Sequence, residues 1–281
     1  MHRRVILRFL RRTAVPAFVG AVLIGLVAGV GGIAAPGGEQ VTFASADSTV
    51  GAPIPATVLR PSGAGPFPAV VALHGCDGIS RDAVQWAQWL QEQGYVVVMP
   101  ESLSPRSLRT SCGTGGLKYD AQARDGMGAL AYLRTRPDVV HDKIAVLGWS
   151  HGGAAALISS SARFIDAVHP DGGGYKAAIA LYQACGAFQD GPVASPLLML
   201  LGGADDWQPP ARCVERGAAL QSAGAPVEFK VYPGATHSFD TPGRPRTRNV
   251  PNIGLVHIAY DPAAAADAHS QVQRFLKAHV Q

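Results

Sequence analysis

Three residue types that together make a nucleophile occur in this chain in glycine-punctuated loops. Gly148-Trp149-Ser150-His151-Gly152 sets a serine between two glycines. A serine hydroxyl is too weakly acidic to attack a carbonyl unaided, so it needs a base to take its proton and a carboxylate to orient that base. Both stand downstream. Gly202-Gly203-Ala204-Asp205-Asp206-Trp207 offers the acid, and Pro233-Gly234-Ala235-Thr236-His237-Ser238-Phe239 offers the base. With 33 glycines in the chain, the G-x-S-x-G string alone would also fit a Gly-rich turn carrying a solvated serine, so its neighbours must decide.

The flanking segments are those such a site requires. Lys143-Ile144-Ala145-Val146-Leu147 reads as a buried parallel strand, and Gly153-Ala154-Ala155-Ala156-Leu157-Ile158 as a helix start, so strand, sharp turn and helix follow in order around Ser150. Glycines on either side let the strained turn approach neighbouring strands. Pro196 to Leu201 is an apolar strand leading into Asp205, and ligands gather at that end of strands in open α/β sheets. Val227 to Tyr232 alternates like a strand ahead of His237. Further strand-like runs lie at Ala69–Leu73, Tyr95–Met99 and Ala177–Tyr182; helix-like stretches lie at Ala83–Gln93, Ala121–Arg134, Ala154–Ser161, Ala211–Ala223 and Pro262–His279. The alternation predicts an α/β fold with a mostly parallel central sheet and helices on both faces. Residues 101–116 and 240–261 are long for simple connections and sit beside strand ends, as pocket walls or as surface excursions.

The order Ser, Asp, His is that of α/β-hydrolases. Four segments together resemble the dienelactone hydrolase-like branch of that superfamily: Leu73-His74-Gly75-Cys76-Asp77-Gly78, the Gly-Trp-Ser-His-Gly elbow, Gly202-x-x-Asp205-x-x-x-Pro209, and Tyr232-Pro233-Gly234-Ala235-x-His237-x-Phe239. The resemblance runs from about Val70 to the C-terminus. It implies an α/β-hydrolase fold and cleavage of small-molecule carboxylic esters without a metal or organic cofactor. The elbow departs from dienelactone hydrolases proper, which carry cysteine where this chain has Ser150, and so resembles the wider carboxylesterases of the branch. The Gly-Trp-Ser-x-Gly-Gly string is also similar to the catalytic domain of prolyl-oligopeptidase-like peptidases.

The implied roles are Ser150 as nucleophile, His237 as general base and then acid, and Asp205 as the residue that holds the imidazole. Asp206 competes with Asp205, and the Gly202-to-Pro209 spacing favours Asp205. The tetrahedral oxyanion needs two donors, one from the residue after the nucleophile and one from the loop after the third strand. These are the backbone N–H groups of His151 and of Cys76, with Gly75 as the alternative to Cys76. His74 reads as a structural residue of its turn, and Trp86 with Trp89 as helix packing. Trp207 is placed to line the pocket, and Arg106 is a candidate contact for an acidic substrate group. Two rival functions remain open, a peptidase with the same triad and a catalytically silent α/β-hydrolase acting as a binding protein.

Cys76, Cys112, Cys185 and Cys213 fall in loops without a C-x-x-C, which argues against a metal site. Three disulfide pairings exist, and four reduced thiols are the alternative; the strand positions favour Cys185 with Cys213, leaving Cys76 with Cys112. An oxidising destination also fits the N-terminus. Basic residues from Arg3 to Arg12 precede an apolar run from Ala14 to Ala35, the pattern of a secretory targeting segment, here assigned to residues 1–38, with a retained anchor as the alternative. Its five arginines, with no acids among them, take the formal charge from +4 for the chain to −1 without them, so no basic face for nucleic acid is implied. Arg244, Arg246 and Arg248 read as a solvated loop. Residues 39–281 suit one catalytic domain, secreted or periplasmic, with no stable membrane insertion of the mature part expected.

Overall fold

A computed structural model describes residues 37–169, 173–187 and 191–281. The expected targeting segment, residues 1–38, lies almost wholly outside the described residues. The described chain runs β1 (Glu39–Phe43), β2 (Ile54–Leu59), β3 (Phe67–Leu73), α1 (Arg81–Glu92), β4 (Val96–Pro100), α2 (Tyr119–Leu133), β5 (Val139–Trp149), α3 (His151–Ser159), α4 (Ala162–Val168), β6 (Ala177–Leu181), β7 (Leu197–Gly202), α5 (Ala211–Ser222), β8 (Val227–Tyr232), β9 (Arg246–Val250), β10 (Gly254–Ile258) and α6 (Pro262–His279).

Eight strands form one sheet in the order β1-β2-β4-β3-β5-β6-β7-β8. From β4 across to β8 the pairings are parallel, while β1 and β2 join antiparallel at one edge. This is the α/β-hydrolase arrangement. The order β4-β3-β5 puts the ends of β3 and β5 side by side, and β6, β7 and β8 continue the same edge.

Side chains that alternate along the strands feed two cores. Val71, Leu73 and Val146 pack with α2, α3 and α5 on one face. Val70, Ala72 and Leu147 pack with α1 and α6 on the other. Strands covered on both faces lose the polar alternation of a half-exposed sheet, which is why β3, β5 and β7 are near-continuous apolar runs.

Two elements depart from the sequence reading. The β1–β2 hairpin is absent from it, and the 240–261 stretch is not irregular throughout: β9 and β10 pair there as an antiparallel hairpin. The hairpin's inner residues Val250, Val256 and Ile258 pack on Cys112 and Trp207, while Leu255 faces outward and Ile253, in the turn, is partly exposed beside the surroundings of Ser150. Among the described residues no helix is long and apolar enough to cross a membrane.

Candidate active site

Ser150 occupies the tip between β5 and α3 with φ 52° and ψ −110°, a backbone conformation that costs energy for a residue bearing a Cβ. The elbow is held at both ends, Ser150 N–H donating to Leu181 O (2.9 Å) and Ala154 N–H to Ser150 O (2.9 Å). Its glycines are there for space: a Cβ on Gly148 would stand 2.1 Å from Gly152 O, and one on Gly152 would stand 2.0 Å from Leu73 O.

The acid loop after β7 and the histidine loop after β8 converge on this tip. His237 Nε2 is 2.9 Å from Ser150 Oγ, and His237 Nδ1 is 2.8 Å from Asp205 Oδ2. An ionised carboxylate only accepts, so Nδ1 carries the imidazole proton and the Nε2 lone pair faces the serine hydroxyl. Asp205 is buried, and its second oxygen accepts from the backbone N–H of Trp207 (2.9 Å) and of Gln208 (2.7 Å). Asp206 points elsewhere, accepting from His257 N–H (3.0 Å) and lying 2.6 Å from His257 Nδ1 on β10. The structure thus brings Ser150, His237 and Asp205 into one hydrogen-bonded line and leaves Asp206 outside it.

His151 is the first residue of α3, and the first N–H groups of a helix have no intrahelical acceptor. Cys76 lies in the turn after β3, closed by Gly78 N–H donating to Gly75 O (3.1 Å), and lines both clefts that open at Ser150. The side chains around these two positions are structural. His74 Nδ1–H donates to Gly75 O (2.6 Å), while His74 Nε2 accepts from Ser102 N–H (3.1 Å). The His151 ring sits between Gln122 Oε1 (2.7 Å) and Leu117 O (3.0 Å), and burial pushes its imidazole down to about 4.

Two disulfides, Cys76–Cys112 and Cys185–Cys213, join the cysteines in the favoured pairing. The first ties the turn after β3 to the 101–116 stretch. Asp77 lies beside this pair, yet with both sulfurs spent on the bond the cluster has no thiolates for a metal.

Two expectations change. Arg106 does not reach the pocket: its guanidinium makes a bidentate ion pair with the buried Asp125 (2.7 and 3.0 Å) and donates to Ser102 O (2.8 Å). Trp86 packs edge-on against Trp89 as a helix pair would, but it also lines the site and donates its indole N–H to Asp240 Oδ2 (2.9 Å).

Sequence reasoning passed over Asp240 and Tyr182. Asp240 is buried three residues after His237 and accepts from Tyr182 Oη (2.9 Å). The Tyr182 ring packs edge-on against His237, centroids 5.0 Å apart, and Trp207 covers the imidazole at 4.6 Å. Position just past the end of β6 was the available signal for Tyr182. Nothing in the local pattern marked Asp240.

The model of the dienelactone hydrolase family matches residues 54–280. The chain belongs to that family. The match starts at β2, upstream of the resemblance read from Val70. A candidate carboxymethylenebutenolidase of Methylorubrum extorquens is 26% identical over 219 residues, covering 70% of this chain and 72% of its own. Among solved structures, Thermogutta terrifontis esterase 2 phosphoramylated by tabun superposes with TM-score 0.65 at 17% identity, covering 86% of this chain and 94% of that one. A dienelactone hydrolase-like promiscuous phosphotriesterase from metagenomic libraries superposes with TM-score 0.65 at 18% identity, covering 87% and 98%. These likenesses share the fold, and the family assignment makes the chain a carboxylic ester hydrolase.

Proposed function

We propose that this dienelactone hydrolase-family protein cleaves small-molecule carboxylic esters through an acyl-enzyme built on Ser150. The observation that carries the reading is the unbroken line from Ser150 Oγ through His237 to Asp205, with steps of 2.9 and 2.8 Å. Ser150 Oγ attacks the ester carbonyl carbon while His237 Nε2 takes its proton. The oxyanion is received by the backbone N–H groups of His151 and Cys76, and the C–O bond to the alcohol breaks as His237 returns the proton to the leaving oxygen. A water, deprotonated by the same nitrogen, then attacks the acyl-serine, releasing the carboxylic acid and restoring the hydroxyl. Asp205 keeps the imidazole in the Nδ1–H tautomer and stabilises its charged form. The chemistry needs no metal or organic cofactor.

A secreted or periplasmic location agrees with the two disulfides, which persist in oxidising compartments, and with the basic and apolar N-terminal sequence. The test is mass spectrometry after fluorophosphonate treatment, with p-nitrophenyl acetate and butyrate turnover on the same samples. A single adduct on Ser150 and loss of turnover in Ser150→Ala is the expected result. Turnover that survives in Ser150→Ala overturns the assignment, and absence of both adduct and turnover in the wild type favours a silent binding protein.

A further inference from the structure

Two clefts of different character meet at Ser150. The first, of about 150 Å³, contains His237 and is mixed, with Trp86, Trp149 and Tyr182 at its base and charged groups along its walls: Asp82 from α1, the buried Asp240, the exposed Arg246 and the Arg248–Asp77 ion pair. The second, of about 300 Å³, does not include His237 among its walls; it is lined by Leu117, Tyr119, Ile253 and the Cys76–Cys112 disulfide, with Lys118 and Gln208 among its polar residues. Ser150, Cys76 and Trp207 border both. The division therefore runs through the proposed oxyanion position.

Which half of an ester enters which cleft follows from the proton transfer. The oxygen of the departing alcohol must come within hydrogen-bond reach of His237 Nε2 to be protonated, so the alcohol leaves through the cleft that contains His237. With the carbonyl oxygen directed at the N–H groups of Cys76 and His151, the acyl chain is left the opposite side of Ser150. That side is the apolar cleft. Its walls are preformed: the disulfide ties one to the turn after β3, and Asn252 Nδ2–H donates to Gly113 O (2.7 Å) to tie the β9–β10 hairpin to the other.

We propose that the substrates are esters of an apolar acyl group with a polar alcohol, the acyl chain lying against Leu117, Tyr119 and Ile253 and the alcohol facing Asp82, Asp240 and Arg246. This rests on Ser150 and His237 acting as described above. Apolar surface removed from water favours the acyl chain in the second cleft at each added methylene, whereas the first cleft would strip water from its charged walls if an alkyl alcohol entered it.

Two substrate series read the orientation separately. p-Nitrophenyl acetate against p-nitrophenyl hexanoate varies the acyl group on one alcohol; monoacetyl glycerol against hexyl acetate varies the alcohol on one acyl group. In the wild type kcat/KM is expected to rise about tenfold from acetate to hexanoate and to favour monoacetyl glycerol over hexyl acetate. Ile253→Asp, on the exposed hairpin tip, is expected to lower the hexanoate-to-acetate ratio about tenfold and leave the alcohol ratio in place. Arg246→Leu is expected to shift the alcohol ratio toward hexyl acetate and leave the acyl ratio in place. The reverse pattern, or Ile253→Asp and Arg246→Leu variants in which neither ratio moves, overturns the orientation. Ser150→Ala assayed alongside separates the two readings: activity surviving there overturns the triad, while an inactive Ser150→Ala together with reversed ratios in the wild type, Ile253→Asp or Arg246→Leu overturns the orientation alone.

Discussion

The Asp205 carboxylate holds His237 by one oxygen, at 2.8 Å from Nδ1, while its other oxygen is fixed by the backbone N–H groups of Trp207 and Gln208. An acid anchored by its own loop cannot swing away from the imidazole, and its neighbour Asp206 is spent on His257. Asp205→Asn is therefore expected to lower kcat by about 10⁴-fold, the size of this change in a Ser-His-Asp triad, because the amide favours the wrong tautomer. Asp206→Asn is expected to keep kcat within about threefold, since an exposed pair contributes little. Steady-state p-nitrophenyl butyrate kinetics on both variants decides between the two acids; equal losses would defeat the assignment.

The two disulfides close loops of similar size, with separations of 36 and 28 residues, so each is expected to contribute about 3–4 kcal/mol by restricting the unfolded chain. They differ in what they touch. Cys76 carries the proposed oxyanion donor, whereas Cys185–Cys213 ties the segment after β6 to α5. Replacing Cys76 and Cys112 by Ser is expected to lower both the denaturant midpoint and kcat, the latter by up to the roughly 10²–10³ that one lost oxyanion donor costs. Replacing Cys185 and Cys213 by Ser should lower the midpoint alone. Equal kcat in the two double variants would show that the turn after β3 holds its shape without the bond.

Much of this site was legible in the chain because its parts are local. Ser150 follows the apolar end of β5 directly, Asp205 stands three residues past the apolar β7 and His237 five residues past the alternating β8, and the clash that a Cβ on Gly148 or Gly152 would cause is a requirement of the elbow that leaves its mark in sequence. Elements without a periodic apolar face were not legible. β9, Arg246-Thr247-Arg248-Asn249-Val250, is polar at four of five positions, because a two-stranded ribbon over a cleft buries little beyond Val250. Arg106 misled for a different reason. Its type suits an anionic ligand, but its partner Asp125 is 19 residues away on α2, and only the fold brings them together.

That pair yields a stability prediction. The Asp125 side chain is fully buried, and besides Arg106 it accepts from Ser45 Oγ (2.6 Å). Removing the guanidinium leaves a buried carboxylate without its counter-charge, so Arg106→Ala is expected to cost about 3–5 kcal/mol. KM for p-nitrophenyl butyrate should stay within about twofold of wild type where the variant is folded. Urea unfolding with parallel kinetics checks both, and a raised KM at unchanged stability would return Arg106 to the pocket.

Asp240 makes the stability pH-dependent in the direction opposite to a salt-bridged acid. Burial pushes its carboxyl up to about 6, partly offset by the hydrogen bonds from Tyr182 and Trp86 and reinforced by the nearby charge of Asp82. The unfolded chain titrates this group near 3.9. Between those values the folded state binds the proton more tightly, so the group's contribution is fully present below about pH 4, is lost as pH rises to about 6, and is flat above. Asp240→Asn removes the titration, while its amide leaves one of the two donors, Trp86 Nε1–H or Tyr182 Oη–H, without an acceptor at every pH. Only the trend is therefore diagnostic. Relative to wild type, the variant should gain up to about 3 kcal/mol between pH 4 and pH 7 in urea unfolding. A difference that does not change with pH would mean that the Asp240 carboxyl is ionised throughout and that Tyr182 and Trp86 outweigh its burial.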